Sequence, residues 1–285
     1  MVLRPAPNPI DNEEAIRENL ESWNTMAPLH AQGSGTEFYR IEQWLAGKST
    51  LSPWEIEELG SVEGKSLLHM QCHIGTDTLS WAQEGARVTG LDFSPNAVAE
   101  AKRFADILGF REARFVVSRV RDAVETLEKE LFDIIYTGRG ALCWLPDLRE
   151  WARICSALLK RDGVLYLEES TPLANLLDTD EGPDGTRLVP KHDLFKKGPI
   201  SEVGGCSYAT TETECTMHVW EYRYDTLINA LITNGFHLDF LNERDELFFV
   251  PWPDLFEPSR PNQWRLKKGN GRFPFRLPSR QPGSD

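Results

Sequence analysis

KSLLHMQCHIGTDTLSWAQEGARVTGLDFS, from Lys65 to Ser94, decides the fold. It opens on a short apolar run, turns at a glycine, continues through an amphipathic stretch and returns to a second apolar run that stops at Asp92. Strand, tight turn, helix, strand is the pattern of a right-handed crossover unit in a parallel sheet. In such a sheet ligands bind outside the carboxyl ends of the strands, where the strand order reverses. The turn offers backbone N–H groups there. Asp92 offers a carboxylate able to accept both hydroxyls of a ribose, and it follows His69 by 23 residues, near the roughly 20 expected of a ribose-binding acid.

Outward from this unit the rhythm continues. Further apolar runs cover Arg114–Val117, Phe132–Thr137 and Val164–Glu168. Ser94-Pro95 opens a helix with Val98, Ala101, Ala105 and Leu108 on one face, and Asp147 opens another with Leu148, Trp151, Ala152, Cys155 and Leu159. With strands expected near Phe236–Asn242 and Phe273–Leu277, the reading is an α/β, Rossmann-like, mostly parallel sheet of seven strands with helices on both faces. An alternating stretch near Cys215–Tyr222 and a helix near Asp225–Asn234 complete the pattern. Before the sheet, Ile16, Leu20 and Trp23, then Phe38, Ile41 and Leu45, then Trp54, Ile56 and Leu59 recur at helical spacing. Residues 1–60 are therefore expected as a helical cap or lid, and residues 61–285 as the main domain. The polar, Gly/Pro-rich insertion after the fifth strand, 170–212, or 170–222 with the alternating stretch that follows it, is expected to serve function.

Composition narrows the function. The chain has 285 residues, 40% hydrophobic and 26% charged, with net charge −13. That balance excludes disorder, collagen and coiled coil. An anionic surface repels a phosphate backbone, so no nucleic-acid partner is expected. No apolar run approaches the roughly 18–20 residues that span a bilayer, and the start MVLRPAPNPIDNEE lacks a signal-peptide core. Five cysteines without a CxxC pair read as reduced thiols of a cytoplasmic protein. The expected partner is a small molecule, and the expected state a monomer or homodimer.

The residues of this unit resemble the first two motifs of class I S-adenosylmethionine-dependent methyltransferases. The usual opening is an acidic residue and alternating glycines; here HMQCHIG keeps only Gly75, with Gln71 and His73 where the other two would stand. A strand ending His-x-Gln-Cys-His-x-Gly is similar to a small-molecule subset of that family. FDIIYTGRGALCWLPDL, LLKRDGVLYLEE, ESWNTMAPLHAQGSGTEFY and the Trp-rich C-terminal end match the same subset.

Carried over, the resemblance implies that Gln71, Cys72 and His73 lie against the methionine part of S-adenosylmethionine, with Gly75 allowing close approach. Asp92 would hold the ribose, Phe93 pack on the adenine with Ser94 nearby, and backbone at Arg119 and Val120 take the adenine amino group. Thr137 and Gly138 would face the methionine carboxylate or the methyl. Trp23, Phe38 and Tyr39 are expected over the ligand edge, where an aromatic face suits a sulfonium. Where relatives often have a histidine after the fifth strand, this chain has Thr171. No catalytic base is assigned; His192, His218 and Glu169 are candidates by position alone. No metal is expected, since His69 and Met70 continue the strand and alternate side chains face opposite ways.

The expected activity is methyl transfer from S-adenosylmethionine to an N, S or O nucleophile of a small acceptor, including a secondary metabolite or a thiol or dithiol. Missing a His–Asp pair, the chain leans toward N or S. Two other readings compete. A nicotinamide-dinucleotide oxidoreductase shares the fold and the ribose carboxylate, but G-x-G-x-x-G is absent. A non-catalytic regulatory protein that binds S-adenosylmethionine would explain the missing glycines.

Overall fold

The structure is a computed structural model and describes residues 4–5, 11–32, 39–182, 185–190, 193–196, 198–207, 210–244, 246–247, 255–260 and 263–266. The chain divides into two compact units, one of residues 1–170 and 196–240, the other of 171–195 and 241–285. Among the described residues no helix is long and apolar enough to cross a membrane.

In the first unit, a short strand β1 (Arg4–Pro5) precedes helices α1 (Asn12–Gln32), α2 (Ile41–Leu45) and α3 (Pro53–Leu59). Then come β2 (Ser66–Met70), α4 (Thr76–Gln83), β3 (Arg87–Asp92), α5 (Pro95–Leu108) and β4 (Arg114–Val117). They are followed by α6 (Ala123–Thr126), β5 (Phe132–Thr137), α7 (Leu148–Leu158) and β6 (Leu159–Leu167). These five strands form one parallel sheet in the order β4-β3-β2-β5-β6. The order reverses between β2 and β5, which places the switch point at the turn after β2.

Period-2 alternation along the buried strands feeds two cores. Leu68, Met70 and Ile135 pack with Trp151, Ile154 and Leu158 of α7, while Leu67, Ile134 and Tyr136 face Trp81 of α4. Helices thus cover both faces. Their starts follow the expected caps: Ser94 Oγ accepts from the Ala97 N–H at 3.1 Å, and Asp147 Oδ1 accepts from Arg149 and Glu150. Ser52 N donates to Glu55 Oε2 at 2.5 Å, the reciprocal half of a capping box.

Residues 170–222 span both units. Strands β7 (Leu177–Gly182) and β8 (Gly185–Pro190) form a hairpin in the second unit. Strands β9 (Ile200–Ser207) and β10 (Thr210–Val219) form an antiparallel pair in the first, with β1 on its edge. Helix α8 (Tyr224–Thr233) packs on α7. In the second unit, β11 (Glu246–Leu247), β12 (Phe256–Arg260) and β13 (Gln263–Leu266) make a small antiparallel sheet.

Three sequence readings need correction or fall outside this description. The parallel sheet has five described strands. Residues 236–242 were expected as a strand, yet they are irregular, with Leu238 and Phe240 about half exposed; a segment without a ladder partner does not hold strand geometry. Phe273–Leu277 lies outside the described residues. Cys215 is disulfide-bonded, which departs from the reading of reduced thiols throughout; Cys72, Cys143 and Cys155 are thiols outside any disulfide.

Candidate functional site

The turn leaving β2 keeps the backbone shape of a glycine motif after losing two glycines. Gln71 and His73 have φ 58° and 49°, both left-handed, at a cost of about 1–2 kcal/mol each for a residue with a Cβ. Surrounding bonds hold that strain. Cys72 N donates to Leu91 O at 3.0 Å, and Gln71 Nε2 to Ala141 O at 2.8 Å. His73 N donates to Asp92 Oδ2 at 2.8 Å. At Gly75, φ 79°, a Cβ would come within 2.8 Å of Ala101 and 2.9 Å of Phe115. This glycine is required both for its conformation and for the approach of α4 to α5.

Asp92 ends β3 beside this turn and is 6% exposed. Its Oδ1 accepts from Ser94 N at 2.9 Å while Oδ2 takes His73 N, leaving each oxygen further lone-pair capacity. Burial pushes its carboxyl up to about 6, against the pull of those backbone donors. Phe93 is half-buried beside it. The Ser94 hydroxyl is engaged as a helix cap and as a donor to Asn24 Oδ1 at 2.7 Å, which ties α1 to α5. Arg119 and Arg121 both bind Glu13 at the start of α1, and Val120 is buried in the sheet core.

Across the switch point, Thr137 is fully buried and its Oγ1 has no hydrogen-bond partner among the described residues. The same holds for Gln71 Oε1. A Cβ on Gly138 would come within 2.5 Å of the Tyr136 hydroxyl. Next to it, Arg139 (φ 65°) binds Glu55 and Asp77 at 3.0 Å each, Glu168 at 3.6 Å and Thr50 O at 2.7 Å. Glu55, fully buried, also accepts from the Tyr136 hydroxyl, and burial raises its carboxyl to about 7.

Helix α1 lays aromatic rings over the turn. Trp23 makes edge contacts with His73 at 5.0 Å and with Trp144 at 5.1 Å between centroids. Tyr39 stacks on His30 at 4.5 Å. His30 Nδ1 lies 2.9 Å from His73 Nε2. Burial drives both imidazoles down, His30 to about 4. Phe38 and His192 lie outside the described residues. His218 is spent on structure, with Nε2 on Glu18, Nδ1 on Ser201 and its backbone on Asn19. His69, Cys72 and His73 do not converge, since His69 bonds Thr78 and His73 bonds His30. Among the described residues no three His, Cys, Asp or Glu side chains are placed to hold a metal.

Sequence reading missed His30, Trp144 and the Arg139 cluster. His30 had a signal, being seven residues after Trp23 on the same face of one helix. Trp144 and Arg139 lie in the loop after β5 and carry no periodicity.

Comparisons with known proteins bear on the domain and its fold. Residues 68–165 match the family described as Methyltransferase domain. The chain is 28% identical over 184 residues to the ubiquinone biosynthesis O-methyltransferase of Sodalis glossinidius, covering 63% of this chain and 72% of that one. It is 34% identical over 106 residues to the protein of that name from Haemophilus ducreyi, covering 36% of this chain and 44% of the relative. Among solved structures, an S-adenosylmethionine-dependent methyltransferase from Mesorhizobium loti superposes with TM-score 0.52 at 19% identity, over 74% of this chain and 89% of that one. One from Listeria monocytogenes gives 0.51 at 18%, over 70% and 88%. These structures share the fold. The chain therefore carries a methyltransferase domain over those residues.

Proposed function

We propose that the chain methylates a small molecule on an N, S or O nucleophile, holding S-adenosylmethionine across the switch point between β2 and β5. The observation that carries this reading is Asp92, a buried carboxylate at the end of β3 whose two oxygens are fixed by backbone donors and still able to accept. It takes the ribose hydroxyls. Gln71, Cys72, His73 and Gly75 line the methionine portion, and Gln71 Oε1 and Thr137 Oγ1, without hydrogen-bond partners among the described residues, are the acceptors for its ammonium. Gly138 supports the same end, and Phe93 with the backbone at Arg119 and Val120 takes the adenine. The Ser94 side chain acts through Asn24 on α1 rather than on the ligand.

When bound, S-adenosylmethionine supplies an electrophilic methyl on a sulfonium. The chain's own part is to orient and to exclude water. Trp23, Tyr39 and Trp144 offer ring faces and edges next to the turn, suited to a cation and poor at admitting solvent. Residues 1–60 act as the lid, with α1 built into the fold: Ala27 and Ala31 share a core with Ala97, Ala101 and Phe104 of α5. Tritiated methyl transfer to a panel of phenols, thiols and amines tests this function. Labelled small product from wild type, lost in Asp92→Ala, is expected; label found only on added nucleic acid or protein overturns it.

A further inference from the structure

The sequence named Glu169 as a candidate proton acceptor by position alone, and three buried histidines near the turn compete with it for that role. His30 and His69 are pushed down to about 4 by burial, and His73 is driven down as well. Taking a proton from a tyrosine-like hydroxyl of reference value about 10 costs such a base roughly a millionfold in equilibrium. Glu169, raised to about 7 by burial, faces only about a thousandfold. Geometry favours it independently. Glu169 leaves the carboxyl end of β6 next to the end of β5, where Glu168 N donates to Thr137 O at 2.9 Å. Its Oε1 accepts from Leu142 N at 2.8 Å and Oε2 from Ser170 N at 3.0 Å. Each oxygen keeps lone-pair capacity.

Two hydroxyls without partners among the described residues belong to the same corner. One is Thr137 Oγ1, fully buried; the other is Tyr222 Oη. Tyr222 is brought there by the chain before it, because Trp220 N donates to Cys143 O at 2.8 Å, one residue from the Leu142 amide that Glu169 holds. Burial and the charges of Cys143, Asp147 and Glu169 push the Tyr222 hydroxyl up, so it stays a donor. Glu168 is the further charged group facing Glu169. Trp144, in the same turn, presents an aromatic wall that reaches Trp23.

We propose that Glu169 is the catalytic base for an acceptor carrying an aromatic hydroxyl or thiol, held by the Tyr222 hydroxyl at the carboxyl ends of β5 and β6. This inference rests on the methyltransferase reading above and names its acceptor class. The acceptor's O–H or S–H bond breaks and its proton passes to a Glu169 oxygen. The freed electron pair forms the bond to the methyl carbon as the carbon–sulfur bond of the sulfonium breaks, leaving a neutral thioether. Glu169 then releases the proton to water.

The probes are catechol, benzyl mercaptan and aniline with S-adenosylmethionine, using the full chain. Aniline presents a ready lone pair and needs no base before transfer. Wild type is expected to methylate catechol or benzyl mercaptan with an acidic limb near pH 7. Glu169→Gln, which can still accept from Leu142 N, is expected to lose about 100-fold or more in kcat together with that limb. Tyr222→Phe mainly raises KM. Infrared titration supplies a readout apart from turnover: of the carboxyl C=O intensity titrating near pH 7 in wild type, to which Glu55 also contributes, the Glu169 component is lost in Glu169→Gln. An unchanged pH profile in Glu169→Gln, no such loss of intensity, or methylation of aniline alone or of none of the three overturns the proposal. Calorimetric binding of S-adenosylmethionine separates the two readings. Retained binding with these failures removes only the base, whereas lost binding removes the function beneath it.

Discussion

Asp92 Oδ2 accepts the backbone N–H of His73 at 2.8 Å, so the acid assigned to the ribose also fixes the left-handed turn beside it. Its carboxyl is raised to about 6, against about 3.9 for an unfolded aspartate. The folded chain therefore binds this proton more tightly than the unfolded chain. Asp92 adds stability as pH falls through 6, an addition complete below about 4 and worth up to about 3 kcal/mol. The protonated form accepts ribose hydroxyls poorly. Stability relative to Asp92→Asn and affinity for S-adenosylhomocysteine should thus move in opposite directions as pH falls from 7 to 5, measured by urea unfolding and calorimetry. Parallel movement contradicts the assignment.

Arg139 neutralises a cluster in which Glu55 is fully buried and Asp77 and Glu168 nearly so. Arg139→Met leaves three carboxylates facing one another. The expected loss is about 3–5 kcal/mol near neutral pH. Part of it returns as pH falls, because unpaired buried carboxylates take up protons in the folded state more readily than in the unfolded one. Urea midpoints at two pH values measure both effects.

Gly75→Ala places a methyl 2.8 Å from Ala101 and 2.9 Å from Phe115 at φ 79°. Backbone strain and overpacking together should cost about 2–4 kcal/mol. A melting temperature equal to wild type would show that the turn can relax, and that the glycine is not required for packing.

Much of the fold was legible because its signals are local. Short apolar runs gave β2 to β6, and Ser94-Pro95 and Asp147 gave the starts of α5 and α7. Asp92 was legible because it ends a strand at the expected distance from the first. What escaped depends on long-range approach. His30 and His73 are 43 residues apart, and Arg139 gathers partners 62 and 84 residues away. The insertion read as irregular because strands β7 to β10 pair as hairpins, without the apolar continuity of buried parallel strands. The lost glycines misled differently: Gln71 and His73 take the glycine conformation regardless, held by bonds no motif displays.

The most direct measurement is calorimetric titration of S-adenosylhomocysteine into wild type and Asp92→Ala near neutral pH, with NAD as the competing ligand. Saturable binding to wild type, weakened about 100-fold or more in a folded Asp92→Ala as two charged hydrogen bonds are lost, and no binding of NAD is the predicted result. Equal affinity in the two proteins, or binding of NAD in place of S-adenosylhomocysteine, would contradict it.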